Sequence, residues 1–352
     1  MFQKNLRYLR LKANMTKKEL AQKAQLSAMA ISHYESGNRK PTVDIINRLA
    51  KALNARPMEF LRARNDKLSF VHGDFRKRSA LNLGNQEYMR EEAEAYFNRF
   101  YNIVDILGDH VLADPPDMNC LVLDADDEIN AKRLREHLGF PSEGPIGALI
   151  GALENNGILV HQFAANNEKF DGMHGTVEKR PFIIVNSNMN TERQRSTLVH
   201  ELAHMFFVWP DDMEQALIEK KATAIAGAFL FPKQDVLREL GIRRSQITKD
   251  MVMVAIEYGV SLQLLAVRAK ICGVISDDVH VAFRKRISAL GWAKHEPSRI
   301  PDEKPTLMTQ LVYRAVNEQE ISIQKGAELL QTSYEDVAKN CSFSLANASN
   351  LQ

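Results

Sequence analysis

His200-Glu201-Leu202-Ala203-His204 constrains this chain more than any other stretch, because it sets two imidazoles and a carboxylate inside a run that otherwise reads as a buried helix. The run Thr191 to Val208 predicts one helix. Thr191 or Asn190 caps it, Glu192 complements its N-terminal dipole, and Leu198, Leu202, Met205 and Phe206 form an apolar stripe that Pro210 brings to an end. At about 100° per residue, His200 and His204 lie on one face a turn apart. Burying such groups without partners is expensive, and one metal ion held by both histidines removes that cost. A pair of core histidines satisfied by backbone carbonyls is the alternative. If a zinc ion is held there, Glu201 sits beside the open coordination position. It could then take a proton from a water whose pKa falls to roughly 7, and later return it to a leaving amine.

A catalytic zinc usually takes three protein ligands. The stretch Met213 to Pro232 predicts a second, alanine-rich helix with Ala222, Ile225, Ala226, Phe229 and Leu230 on its core face. Glu219 falls one turn before Ala222 and Thr223, and the small residues Ala222, Ala226 and Gly227 let the two helices approach closely. Glu219 is therefore the expected third ligand, against the reading of a surface carboxylate paired with a lysine.

These residues resemble the ImmA/IrrE-type metallopeptidase family. Its zinc helix carries His-Glu-x-x-His, matched by His200, Glu201 and His204, and its next helix carries a liganding Glu, matched by Glu219, before an alanine-rich stretch matched up to Phe229-Leu230-Phe231-Pro232. The order of Gly144-Pro145-Ile146, Gly157-Ile158-Leu159-Val160, Phe170-Asp171-Gly172 and Pro181 to Asn186 upstream, and Tyr258-Gly259-Val260-Ser261 downstream, is similar too. The likeness spans roughly residues 120 to 275. Lys221 departs from it, standing where members often carry a second acidic residue, and Ala203 replaces a frequent glycine.

The first 64 residues carry 14 Lys and Arg against 4 Asp and Glu, whereas the remainder carries 32 against 40. A chain that is almost neutral overall thus has a basic end suited to phosphates and an acidic remainder that nucleic acid would repel. Short helices are predicted over Phe2 to Lys12, Thr16 to Ala24 with a capping box, Ser27 to Tyr34, Val43 to Leu53 and Pro57 to Leu61, with a very short turn between the second and third. Leu6, Leu9, Leu20, Ala21, Leu26, Ile31, Leu49 and Leu53 are the expected core. The residues Thr16 to Ala21, Ile31 to Gly37, Pro41 and Leu49 to Leu53 resemble the Xre/Cro family of repressors. That family's docking mode implies that Lys17, Ser27, Ala28, Met29, Ser32 and His33 face base edges, with Arg39 and Lys40 on phosphates. Ala28 and Met29 offer only apolar contact, for instance to a thymine methyl.

The expected fold is multidomain and mainly α. It comprises a five-helix Xre/Cro-type DNA-binding domain over 1–64, a linker over 65–86 with a short strand at Leu68 to Val71, an α+β zincin-like peptidase domain with a small sheet over 87–275, a helical C-terminal extension over 276–341, and a disordered tail over 342–352. Glu87 to Leu107 is expected to be a helix packed on the peptidase domain, and Ile321 to Val337 a packing or dimerisation element. No run of about 18 apolar residues exists, so no membrane partner is expected. The odd, scattered Cys120, Cys272 and Cys341 argue for a reducing compartment. His161, His174, His280 and His295 each stand isolated and are assigned no chemistry, as is Asp124-Ala125-Asp126-Asp127, which lacks the glycine and glutamate of a calcium loop.

The two resemblances together imply a cytoplasmic, nucleoid-associated regulator of bacterial or phage type that binds double-stranded DNA. They imply zinc, or another divalent metal such as manganese, and cleavage of a helix-turn-helix repressor, either another protein or this chain itself, to control stress or mobile-element genes. Homodimerisation is left open. The alternative is a non-proteolytic transcription factor whose metal-binding domain senses a ligand or partner.

Overall fold

The computed structural model describes residues 1–61, 67–73, 83–165, 167, 169–292 and 296–342. It is mainly α-helical, with two small sheets. At the N-terminus, α1 (Phe2–Lys12), α2 (Lys17–Lys23), α3 (Ala28–Ser36), α4 (Val43–Leu53) and a 3-10 turn (Pro57–Leu61) enclose a core of Leu6, Leu9, Leu20, Ala21, Ile31, Leu49 and Leu53. Leu26 packs at its margin, half-buried. Local chemistry sets the boundaries. Thr16 Oγ1 accepts from the Glu19 amide while the Glu19 carboxylate accepts from the Thr16 amide, and Ser27 and Thr42 cap α3 and α4. Gly37, at a φ of 77°, ends α3 in the left-handed conformation.

The rest of the chain is built on β1 (Phe70–His72), β2 (Leu121–Val122), β3 (Leu159–Phe163), β4 (Gly172–Val177), β5 (Arg180–Asn186) and β6 (Phe207–Val208). Four of these make a mixed sheet in the order β1-β4-β5-β3, with β3 parallel to β5 and the other pairs antiparallel. Helices follow as α5 (Leu83–Leu107), α6 (Asp127–His137), α7 (Leu149–Asn155), α8 (Thr191–Phe206) and α9 (Gln215–Leu230). Beyond them lie α10 (Lys233–Leu240), α11 (Asp250–Tyr258), α12 (Leu262–Ile271), α13 (Asp277–Ala289), α14 (Leu307–Asn317), α15 (Ile323–Leu330) and α16 (Tyr334–Cys341). Strand alternation sends Phe182 and Ile184 of β5 toward α5, where they meet Phe97 and Phe100, and sends Ile183 and Val185 toward α8, where they join Leu198, Val199 and Leu202. Both faces of the sheet are therefore covered, which is why β5 reads as a continuous apolar run.

Three boundaries depart from the sequence reading. The helix expected to run to Val208 stops at Phe206, because the amides of Asn119 and Cys120 take the carbonyls of Met205 and Phe206 and draw Phe207–Val208 into pairing with β2. Within the stretch read as a linker, the short strand expected at Leu68 to Val71 lies at Phe70–His72, as the edge strand of the main sheet, and α5 already begins at Leu83. Residues 65–66 and 74–82 of that linker, His295 and the tail beyond Ser342 lie outside the described residues. Finally, α14 and α15 put Met308, Leu311, Val312, Ala315 and Leu329 into the core beneath α5, so the C-terminal helices share a core with the sheet.

A strap over residues 296–306 ties these helices down. Ile300 N donates to Glu192, Ile150 N to Glu303, and Gln162 Nε2 to the Glu303 carbonyl, while Arg195 pairs with the Glu303 carboxylate. Thr306 N and Leu307 N both donate to Glu154 Oε2, at 2.9 and 3.2 Å. Burial pushes the Glu154 carboxyl up to about 7 against the opposing pull of those two amides. Its folded pKa lies above its unfolded one, so its stabilising contribution is complete below about 4.5 and is lost as pH rises through about 7. Glu154→Gln should therefore flatten the decline of thermal stability between those limits, by roughly 2–3 kcal/mol at pH 8. Parallel melting curves for wild type and variant from pH 5 to 8 would contradict this.

The N-terminal domain joins the rest through α1 on α5. Tyr8 OH donates to Glu92 Oε2 at 2.7 Å, its ring stacks on Tyr88 at 6.4 Å, and Arg7 pairs with Glu87. Among the described residues no single helix is long and apolar enough to cross a membrane.

Candidate metal centre and nucleic-acid interface

Helix α8 starts at Asn190, whose side chain accepts from the Arg193 amide, and runs along the sheet beside β4. It comes close because Gly172 has no side chain: a Cβ there would lie 2.7 Å from Thr197 Cγ2 and 2.9 Å from the Ile184 carbonyl. That approach brings His174 of β4 over the middle of the helix. Its Nδ1 meets Glu201 Oε2 at 2.6 Å. The sequence reading assigned His174 no chemistry, and the structure corrects that: an isolated histidine in sequence is the hydrogen-bond partner of the expected base. Its position on a strand that packs against α8 was the signal, visible only once β4 is placed.

His200 and His204 project together from α8, with their Nε2 atoms 3.1 Å apart. From α9, Glu219 approaches both: Oε2 lies 3.4 Å from His200 Nε2 and Oε1 3.5 Å from His204 Nε2. One donor atom from each of the three lies within 4.8 Å of the others. Two imidazole nitrogens and a carboxylate oxygen are a donor set that suits a divalent cation of zinc type. Burial lowers the His204 pKa to about 4, leaving the neutral imidazole that a metal requires.

Surrounding groups orient these donors. Thr223 Oγ1 donates to the Glu219 carbonyl at 2.8 Å and faces His200 Nδ1 at 3.3 Å, so it can accept the Nδ1 proton and leave Nε2 as the donor atom. Gln215 Nε2 donates to Glu219 Oε1 at 3.0 Å. Neither role was legible in the sequence. Burial alone would raise the Glu201 carboxyl, but the hydrogen bond from His174 and the adjacent imidazoles outweigh it and hold the group below its usual range. Glu201 is thus ionised and able to accept a proton.

The four residues open onto a groove of about 1310 Å³, whose walls include His72, Gly73, Arg193, Trp209 and Met213. An open cleft of this size has room for a stretch of polypeptide. Cys120, Cys272 and Cys341 are free thiols outside the metal cluster. Lys221 turns away from the cluster and pairs with Asp127 at 2.9 Å, tying α9 to the start of α6. His161 stacks on Tyr96 at 3.7 Å, far from this chemistry, beneath the contact between α1 and α5.

At the other end, α2 and α3 meet through the short turn at Gln25, and the residues expected to read DNA surround α3. Ala28, His33, Arg39 and Lys40 are exposed, and Met29 is 71% exposed. Three expected readers are already engaged. Ser27 Oγ accepts from the Ala30 amide as the cap of α3, and half-buried Ser32 accepts from Lys17 Nζ at 3.3 Å. Lys17 also stands 3.6 Å from Glu35, which is bound by Arg10. Arg39 lies over the Tyr34 ring at 5.7 Å.

Residues 6–61 match the family model described as helix-turn-helix. Residues 153–270 match a peptidase family model described as the IrrE N-terminal-like domain. No curated protein is significantly similar to the chain.

Proposed function

We propose that this chain, which joins a helix-turn-helix domain to a domain of the IrrE-type peptidase family, is a DNA-binding regulator that cleaves a helix-turn-helix repressor, another protein or itself, in a zinc-dependent reaction. The observation that carries the reading is the convergence of His200, His204 and Glu219 beside an ionised Glu201 at the floor of an open groove. A zinc ion held by the first three would acidify a water and polarise a peptide carbonyl. Glu201 takes the proton of the attacking water and hands it to the departing amine, so that the peptide C–N bond breaks with no net change in Glu201. His174 holds the Glu201 carboxylate in place through Oε2, leaving Oε1 for the proton. The groove supplies the length over which a substrate chain is gripped.

The test compares wild type with Glu201→Gln on helix-turn-helix proteins encoded beside this chain and on the chain itself, with and without DNA. Cleavage by wild type alone supports the reading. Cleavage by both, or by neither, removes it and leaves a metal-binding regulator without turnover.

For the DNA-binding end, exposed Ala28 and Met29 are proposed as apolar readers beside His33, with Arg39 and Lys40 on phosphates. Ala28→Gln with Met29→Gln should change the operator selected from a random pool, shifting preference by roughly 1–3 kcal/mol per altered base pair, while proteolysis persists. An unchanged selected sequence would place the reading surface elsewhere.

A further inference from the structure

The main sheet ends at β1, which covers the outer edge of β4 and comes from the segment that leaves the DNA-binding domain. Phe70, Val71 and His72 pair antiparallel with Val177, Thr176 and Gly175. The ladder continues at both ends. Glu178 N donates to the Ser69 carbonyl at 3.0 Å, and Gly73 N donates to the His174 carbonyl at 2.9 Å. Hydrogen-bonded positions in an antiparallel pair recur every second residue, so Val71 opposite Thr176 is another. Gly73 lies directly on the residue that holds Glu201: a Cβ there would stand 2.6 Å from His174 Nε2 and 2.9 Å from its carbonyl. Only glycine lets the backbone cross at that height. His72 and Gly73 are also walls of the groove that contains the metal cluster.

An extended peptide running along β4 toward His174 and Glu201 is the arrangement in which a sheet edge can present a polypeptide to that site, with main-chain bonds giving affinity independent of sequence. Here that edge is taken. Its occupant is short: three strand residues, with Val71 63% exposed, held besides the ladder by Phe70 and Leu68 against the core beneath α5, by Ser69 N on the Glu178 carboxylate and by His72 on Glu94 at 3.3 Å. An incoming strand would replace these main-chain hydrogen bonds one for one.

We infer that the outer edge of β4 is the docking surface for an extended segment of a protein substrate, and that residues 70–73 of this chain occupy it as a built-in competitor. The inference rests on the peptidase reading for its biological sense, yet binding tests it without turnover. All proteins are full-length and carry Glu201→Gln. The probe is fluorescein-labelled β-casein, an unfolded chain, followed by anisotropy. Val71→Pro removes a ladder donor from a peripheral, exposed position. It should tighten casein binding about tenfold or more, because the fraction of molecules with a free edge rises. A second variant, Val71→Cys with Thr176→Cys, locks the strand in place when oxidised. It should bind casein at least tenfold more weakly than Glu201→Gln alone, with recovery on reduction. Equal casein binding by Val71→Pro and its parent, or no difference between locked and reduced forms, overturns the inference. Restoring Glu201 separates the two readings. If the unlocked protein binds casein tightly but cleaves nothing, the catalytic reading fails while the docking surface stands.

Discussion

Glu201→Gln is expected to lose the proposed proteolytic activity by roughly 10²- to 10⁴-fold, the range that a positioned proton carrier contributes, while retaining one metal ion per chain. The amide is isosteric and still accepts from His174 Nδ1, which lies 2.6 Å from the carboxylate, so β4 and α8 should keep their spacing. What it loses is the negative charge that His174 and the adjacent imidazoles stabilise against burial. The measurement is initial cleavage rate alongside metal content by atomic absorption. Less than a tenfold loss with full metal would show that water is activated without this side chain. Loss of metal together with activity would make Glu201 part of the binding site instead.

The second large effect concerns stability. Arg135 is fully buried on α6 and donates to three carbonyls: Phe229 at 2.7 Å, Pro141 at 2.9 Å and Gly144 at 3.0 Å. Burial lowers its pKa to about 10, still leaving it charged at neutral pH. The guanidinium thereby closes the end of α9, whose other end supplies Glu219. Arg135→Ala strands these acceptors and opens a cavity, and should cost about 3–5 kcal/mol. Arg135→Met restores most of the volume but none of the donors, so it should recover less than half of that loss. Urea unfolding followed by tryptophan fluorescence reads both; a loss under about 1 kcal/mol would mean that water takes over the three bonds.

How much was legible follows from distance along the chain. His200, Glu201 and His204 share one helix, where a period of 3.6 residues decides which side chains meet, and Glu219 sits on the very next helix with small residues announcing a close approach. The five-element core of the N-terminal domain was readable for the same reason, with Leu26 only half-buried. His174 was not. It reaches Glu201 from a strand 27 positions away, and no periodicity links the two. The edge strand was half legible: a short strand was expected at Leu68 to Val71, but nothing pointed to its partners, which lie about a hundred positions later. The C-terminal helices likewise showed their own amphipathic rhythm but gave no hint that their apolar faces lie beneath α5. The overlong reading of α8 has a different cause. Helical periodicity persisted through Val208, and what stopped the helix was competition for its carbonyls by residues 119 and 120.

Tyr8 packs in the core of the DNA-binding domain and also against the core beneath α5. Its hydroxyl, bound to Glu92, has its ionisation suppressed by burial and by that neighbouring carboxylate. A side chain shared in this way couples the two halves. Were α3 to settle into a major groove, the bearing of the cleft along the DNA axis would be set with it, and a neighbour bound at a given spacing would be either presented to the cleft or turned away from it by the pitch of the double helix.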